Sequence, residues 1–235
     1  MNNIPIENIL FLDIETVPQH PSYSDVPNEM KSFWEYKSER IDKDKSAEEL
    51  YARAGIYAEF GKIICIGVGH VRKQNNSFNI RIKTFHGHDE EQILNDFFSL
   101  LKKNFNTENH YLCAHNGKEF DFPYIARRAI VHRIPIPTIL NISGCKPWEV
   151  RHLDTMELWR FGDYKSYTSL NLLASIFGIP SPKDDISGSD VYKVYYKDND
   201  LTRISDYCKK DVVTLIKVYL RYQYLDNLPQ QIEFV

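Results

Sequence analysis

Phe11-Leu12-Asp13-Ile14-Glu15-Thr16 is the stretch on which the fold turns. The apolar run 9–14 reads as a buried strand, and two carboxylates stand two residues apart at its end. Strand side chains alternate, so Asp13 and Glu15 point to the same face. Two like charges about 5–7 Å apart repel, and burial raises the cost of keeping each ionised. Something positive belongs between them. A hard divalent cation such as Mg²⁺ or Mn²⁺ suits the position, because it prefers oxygen ligands and needs few from the protein. The plainer alternative is a strand that ends at the surface with two solvated acids, and an isolated Asp-x-Glu favours it because such patterns are abundant. The remainder of the chain decides.

At 235 residues the chain can bury a full core, and a single domain over 1–235 with a helical insertion at about 18–60 is expected. Hydrophobic residues at 43% and aromatics at 13% exclude a disordered chain. A net charge of −3 excludes the overall basic field of a nucleic-acid coat protein. It leaves room for an enzyme whose acidic site lowers the net charge while local lysines and arginines hold phosphates. Cys65, Cys113, Cys145 and Cys208 are scattered with no C-x-x-C pair, which argues against a zinc knuckle or a disulfide framework and for a reducing compartment. No basic segment precedes a long apolar one, so neither a signal peptide nor a membrane span is expected, and the location expected is cytoplasmic.

In chain order, residues 28–39 are compatible with a helix, and 46–60 with a second short one, since Ser46 and Glu49 have capping-box spacing. The run from Lys62 predicts a central strand, and 80–85 alternates as a half-exposed strand does, so the first three strands form an antiparallel meander. Asp89 and Gln92 mark the start of a helix whose apolar period runs through Leu101. A strand at 111–114 then ends at His115-Asn116-Gly117, followed by a loop and a helix at 122–131, and polar residues at such a strand end are where α/β folds place ligands. A further strand is expected at 151–155 and a short helix at 169–177, capped by Gly178 and stopped by Pro180. Residues 181–190 read as a turn-rich loop, and a long helix begins near Asp200.

Acids recur where apolar side chains are expected. Asp121 lies between a strand end and a helix start, where a helix N-cap is the local alternative. Asp211 falls on the apolar stripe of the last helix with Ile204, Cys208 and Leu215, so it needs a partner or a metal. Tyr207, four residues earlier, projects from the same face. These residues, Asp13-Ile14-Glu15, then Asn116 through Phe120-Asp121, then Tyr207-x-x-x-Asp211, resemble in order the three motifs of the DEDD superfamily of 3′–5′ exonucleases in its tyrosine-bearing branch. The chain is most similar to the predicted exonucleases related to the proofreading domain of family B DNA polymerases, and Gly61-Lys62-Ile63, Ser169-Leu170, Gly178-Ile179-Pro180 and the Cys208 that follows Tyr207 fit those surroundings.

The resemblance implies an α/β, ribonuclease H-like fold: a mixed five-stranded sheet, its first three strands antiparallel, flanked by helices. It also implies a two-metal hydrolysis of phosphodiesters at a 3′ end, of DNA and most simply single-stranded DNA, that releases nucleoside 5′-monophosphates. Asp13 would bridge two Mg²⁺ or Mn²⁺ ions, Glu15 and Asp211 complete the nucleophile-side ion, Asp121 hold the other, and Tyr207 orient the attacking water. Thr16, Asn116 and Phe120 are the expected nucleic-acid contacts: Thr16 to the terminal sugar, Asn116 to a phosphate or sugar, Phe120 to a base face or, equally, to the core. His115 is expected to be hydrogen-bonded beside the site, and Asp154 to support it or cap a helix. An exoribonuclease of the same superfamily and an inactive nucleic-acid-binding module are the alternatives.

Overall fold

β1 (Ile9–Pro18) is an interior strand of a six-stranded sheet ordered β5-β4-β1-β2-β3-β6. The computed structural model describes residues 4–163, 167–180, 186–226 and 230–235. β2 (Gly61–Gln74) pairs antiparallel with β1, and β3 (Ser77–His86) antiparallel with β2. Asn75 opens the tight turn between them at φ 52°, the left-handed conformation that a two-residue hairpin turn requires and that Asn tolerates. β4 (Tyr111–Ala114) joins β1 in parallel, and β5 (Leu153–Asp154) joins β4 in parallel. The expected five strands and their antiparallel meander are present. A sixth, β6 (Gln230–Phe234), adds a parallel edge to β3 that the sequence reading missed.

Alternation along β1 divides the core. Leu10, Leu12 and Ile14 face α2 (Glu90–Asn104) and α3 (Asp121–Val131), packing with Phe97, Leu101 and Phe122. Ile9 and Phe11 face α7 (Leu201–Tyr222), packing with Leu215, Ile216 and Tyr219. Asp13 and Glu15 share the parity of Ile9 and Phe11, so they are carried to the α7 side. α7 approaches closely because β2 presents glycines there: a Cβ on Gly67, which pairs with Asp13, would lie 2.6 Å from Cys208 Sγ, and one on Gly69 would lie 2.6 Å from Ile216 Cδ1.

The helix starts follow the local signals. Asp89, Ser169 and Asp200 accept from the backbone N–H groups of Gln92, Leu172 and Arg203 and so cap α2, α5 (Leu170–Ile176) and α7. The short α4 (Thr155–Arg160) and α6 (Val191–Lys193) complete the set with α1 (Asn28–Ser38), which falls where a helix was expected. The helix expected at 46–60 is instead a series of turns and a 3-10 helix at Tyr51–Ile56, although Ser46 and Glu49 make the predicted reciprocal bonds. Gly55 crowds Val17 and Pro18 there, with backbone of β1 within 3.0 Å of where its Cβ would be, so the chain turns against the sheet rather than continuing as a helix. Trp34 centres a small cluster of this segment with Val26, Leu50 and Tyr51. Of the loop expected at 181–190, residues 181–185 lie outside the described residues.

A buried ion pair fixes α3. Arg128 Nη2 donates to Glu90 Oε2 at 2.6 Å, Arg128 Nη1 to the Ala58 carbonyl at 2.9 Å, and Ile63 N to Glu90 Oε1 at 2.7 Å. Four segments are thereby tied together around the helix that begins with Asp121. Among the described residues no helix is long and apolar enough to cross a membrane.

Candidate active site

Asp13 and Glu15 stand near the end of β1, where the pairing with β2 shifts by a bulge between Glu15 and Thr16. Bulges recur beside active sites because they re-aim side chains. Asp121 reaches this strand from α3: its Oδ1 accepts from the backbone N–H of Ile14, between the two acids, at 3.2 Å. It is the first helical residue, with Phe120 in the cap position, so its carboxylate serves β1 rather than capping its own helix. Tyr207 and Asp211 arrive on α7 one turn apart, near enough that the Asp211 charge acts on the Tyr207 hydroxyl. The charges of Asp121 and Asp211 act on Asp13, and those of Asp13, Asp211 and Asp121 on Glu15.

The electrostatics follow from that convergence. Burial, then the charges of Asp121 and Asp211, hold the Asp13 carboxyl well above its ordinary range. Burial, then Asp13, Asp211 and Asp121, do the same to Glu15. Asp121 is pushed up to about 7, chiefly by burial, against the opposing hydrogen bond from Ile14. The ionisable groups acting on these three carboxyls are acids and thiols. Buried carboxyls pressed together without a cation are costly unless protonated or metal-bound. Oxygen atoms of Asp13 and Glu15 and the Cys208 sulfur lie within 4.8 Å of one another, a spacing able to surround one ion. The donor set, dominated by carboxylate oxygens, fits a hard divalent cation.

The expected nucleic-acid contacts gather at the same end of the sheet. Thr16 follows the bulge, where the chain lies against the segment whose Gly55 carbonyl accepts from the Tyr124 hydroxyl at 2.8 Å. Asn116 has φ 63° at the end of β4, and its Oδ1 is buried without a hydrogen-bond partner. Phe120 is half-buried with its ring 5.4 Å from that of Tyr124. Asp154 does both things expected of it: Oδ1 caps α4 through Met156 N, while Oδ1 and Oδ2 accept from Asn116 N and Lys118 N and so fix the loop leading to Asp121. His115 is hydrogen-bonded on both ring nitrogens, to Thr155 Oγ1 and the Thr168 carbonyl.

Two neighbours escaped the sequence reading. Cys208, taken there for a core residue, donates weakly to Asp13 Oδ2 at 3.7 Å, and only its place beside Tyr207 hinted at this. Tyr167 lies where Asp121, Asp13 and Asp154 act on its hydroxyl, and no periodic pattern marks it.

Comparison with solved structures places this sheet and its helices in the ribonuclease H-like exonuclease fold. The family B DNA polymerase of the hyperthermophilic archaeon Pyrobaculum calidifontis matches with a TM-score of 0.51 at 16% identity, over 93% of this chain and 26% of the polymerase chain. At that identity the likeness shows the fold, and this chain spans about a quarter of the polymerase's length. Residues 56–234 match the family model described as a predicted 3′-5′ exonuclease related to the exonuclease domain of PolB, and the chain belongs to that family. Asp121, Tyr207 and Asp211 fall within the matched span, whereas Asp13 and Glu15 precede it. No curated protein matches in sequence.

Proposed function

We propose that this exonuclease removes nucleotides from the 3′ end of single-stranded DNA, releasing nucleoside 5′-monophosphates with Mg²⁺ or Mn²⁺ as cofactor. The observation that carries this is the approach of Asp121 on α3 and Asp211 on α7 to Asp13 and Glu15 on β1, Asp121 Oδ1 accepting from Ile14 N between the two, with Tyr207 one turn before Asp211. Asp13, Glu15, Asp121 and Asp211 would hold the cations, which would supply polarisation of the scissile phosphate and acidification of the attacking water.

Tyr207 acts as a phenol. Burial, then the charges of Asp211, Glu15 and Asp13, raise its pKa far above its ordinary value, so it does not deprotonate the water. Its hydroxyl orients the water by hydrogen bonding. Thr16 and Asn116, at the ends of β1 and β4, meet the terminal sugar and phosphate.

Digestion of 3′-labelled DNA and RNA strands, each with Mg²⁺ or with EDTA, tests the reading. Mg²⁺-dependent release of 5′-mononucleotides from DNA, lost in Asp211→Ala, is expected. Faster release from RNA would transfer the activity to exoribonuclease, and no shortening of either strand would leave the binding-module alternative.

A further inference from the structure

The face of the sheet turned away from the four acids carries a concentration of the opposite charge. Beside the last turn of α2, a cavity of about 470 Å³ opens over β1, β2 and β3. Leu10, Val68, Leu100 and Phe105 give it an apolar wall, and the exposed Arg72, Arg81 and Lys83 line it with cations. Strand parity brings those cations together. Arg81 pairs with His70 and Lys83 with Val68, so these four share one face, and Arg72, two residues after His70, shares it as well. Neighbouring cations of the set are therefore rooted about 6–8 Å apart.

The nearby acids leave this charge unbalanced. Glu233 is taken by Arg81, whose Nε donates to its Oε2 at 2.9 Å, and Glu7 Oε1 accepts from the backbone N–H of Lys73 at 3.1 Å. Among the described residues Arg72 and Lys83 have no carboxylate within ion-pair distance, although the chain as a whole has a net charge of −3. Like charges crowded on one sheet face repel unless an anion joins them. The walls are held in place for one. His70 Nε2 donates to the Glu7 carbonyl at 2.8 Å, its ring stands edge-on to Phe105 with centroids 5.7 Å apart, and Val235, which also lines the cavity, donates its N–H to the Ile82 carbonyl at 2.9 Å.

We propose that this cavity binds a phosphate monoester with a flat, largely apolar body, the chemistry of a nucleoside monophosphate, at a site separate from the catalytic acids. Clustered cations suit a dianion, and the Arg72 guanidinium offers a phosphate paired N–H donors. The apolar wall takes the flat body. Its volume lies within the roughly 300–1,000 Å³ of small-molecule sites, more than a bare phosphate ion fills. Leu10 lines this cavity, whereas Asp13 and Glu15 have the opposite parity on β1, so a ligand here is not the strand being hydrolysed.

Isothermal titration of the full chain in EDTA, with dAMP, deoxyadenosine, inorganic phosphate and an oligothymidylate bearing hydroxyl ends, tests the proposal. One equivalent of dAMP binds, while deoxyadenosine and inorganic phosphate, each lacking one half of the ligand, bind at least about tenfold more weakly. Arg72→Glu/Lys83→Glu weakens dAMP by about tenfold or more, and Arg72→Gln/Lys83→Gln acts in the same direction. Lys43→Glu/Lys45→Glu, the same change of charge elsewhere on the surface, leaves dAMP binding unchanged, as does Asp211→Ala in the catalytic group. Melting temperatures confirm that each variant is folded. No binding of dAMP, inorganic phosphate bound as tightly as dAMP, or affinity unmoved by the changes at Arg72 and Lys83 overturns the proposal. Oligothymidylate bound more tightly than dAMP also overturns it, and makes this face a track for a strand.

Discussion

Tyr207 and Asp211, one turn apart on α7, have unequal duties. A carboxylate that holds a cation is indispensable, whereas a phenol that orients water contributes a part of the rate. Asp13→Ala and Asp211→Ala should therefore abolish nucleotide release, while Tyr207→Phe retains activity lowered by about 10²-fold, measured as single-turnover rates with saturating Mg²⁺. Equal, full activity in all three would rule out these assignments. Asp13 with Glu15 and Tyr207 with Asp211 were legible in the sequence because each pair follows the period of its own element. Asp121 was ambiguous locally, since its carboxylate binds a backbone N–H of a strand 107 residues away and no nearby pattern encodes that. Tyr167 was invisible for another reason: solvent exposure, not periodicity, is what distinguishes it.

At the scale of elements, the site depends on α7 lying close against β2. Gly67→Ala puts a methyl where Cys208 Sγ stands 2.6 Å away and Val212 Cγ2 3.0 Å away, next to the strand pair of Asp13. Overpacking of this kind costs about 1–3 kcal/mol, and it displaces Tyr207 and Asp211 from Asp13. Chemical denaturation should register that loss, and activity should fall further than the small loss of folded protein explains; unchanged activity would show that the glycine is dispensable. α3 depends instead on Arg128. Arg128→Met leaves Glu90 buried without its guanidinium and should destabilise by about 3–5 kcal/mol, a cost reduced when Glu90→Gln is added. The sequence showed α2, α3 and α7 through their apolar periods, with a cap to mark α2, but the Glu90–Arg128 pair joins helices across 38 residues and left no local trace. β6 was missed because an edge strand exposed along most of its length carries a five-residue pattern too short to stand out.

Across the whole molecule, stability and acidity are linked through the same acids. Asp121 has an ordinary value of 3.8 and is held near 7 in the folded chain, so the fold binds its proton more tightly than the unfolded chain does. Its contribution is fully present below the unfolded value and is lost as pH rises through the folded one. In EDTA the wild type should therefore lose melting temperature relative to Asp121→Asn as pH climbs from about 4 to about 7, and Mn²⁺ should restore it near neutrality. A difference that does not vary with pH would contradict the buried, charge-crowded placement of Asp121. The overall architecture could be anticipated because helical and strand periods alternate in a distinctive order, whereas the meeting of distant acids is a property of the folded chain alone. Crystals soaked with Mn²⁺ and a nucleoside 5′-monophosphate examine that meeting directly. Two anomalous peaks ringed by Asp13, Glu15, Asp121 and Asp211 are predicted; no manganese among those carboxylates would contradict the account.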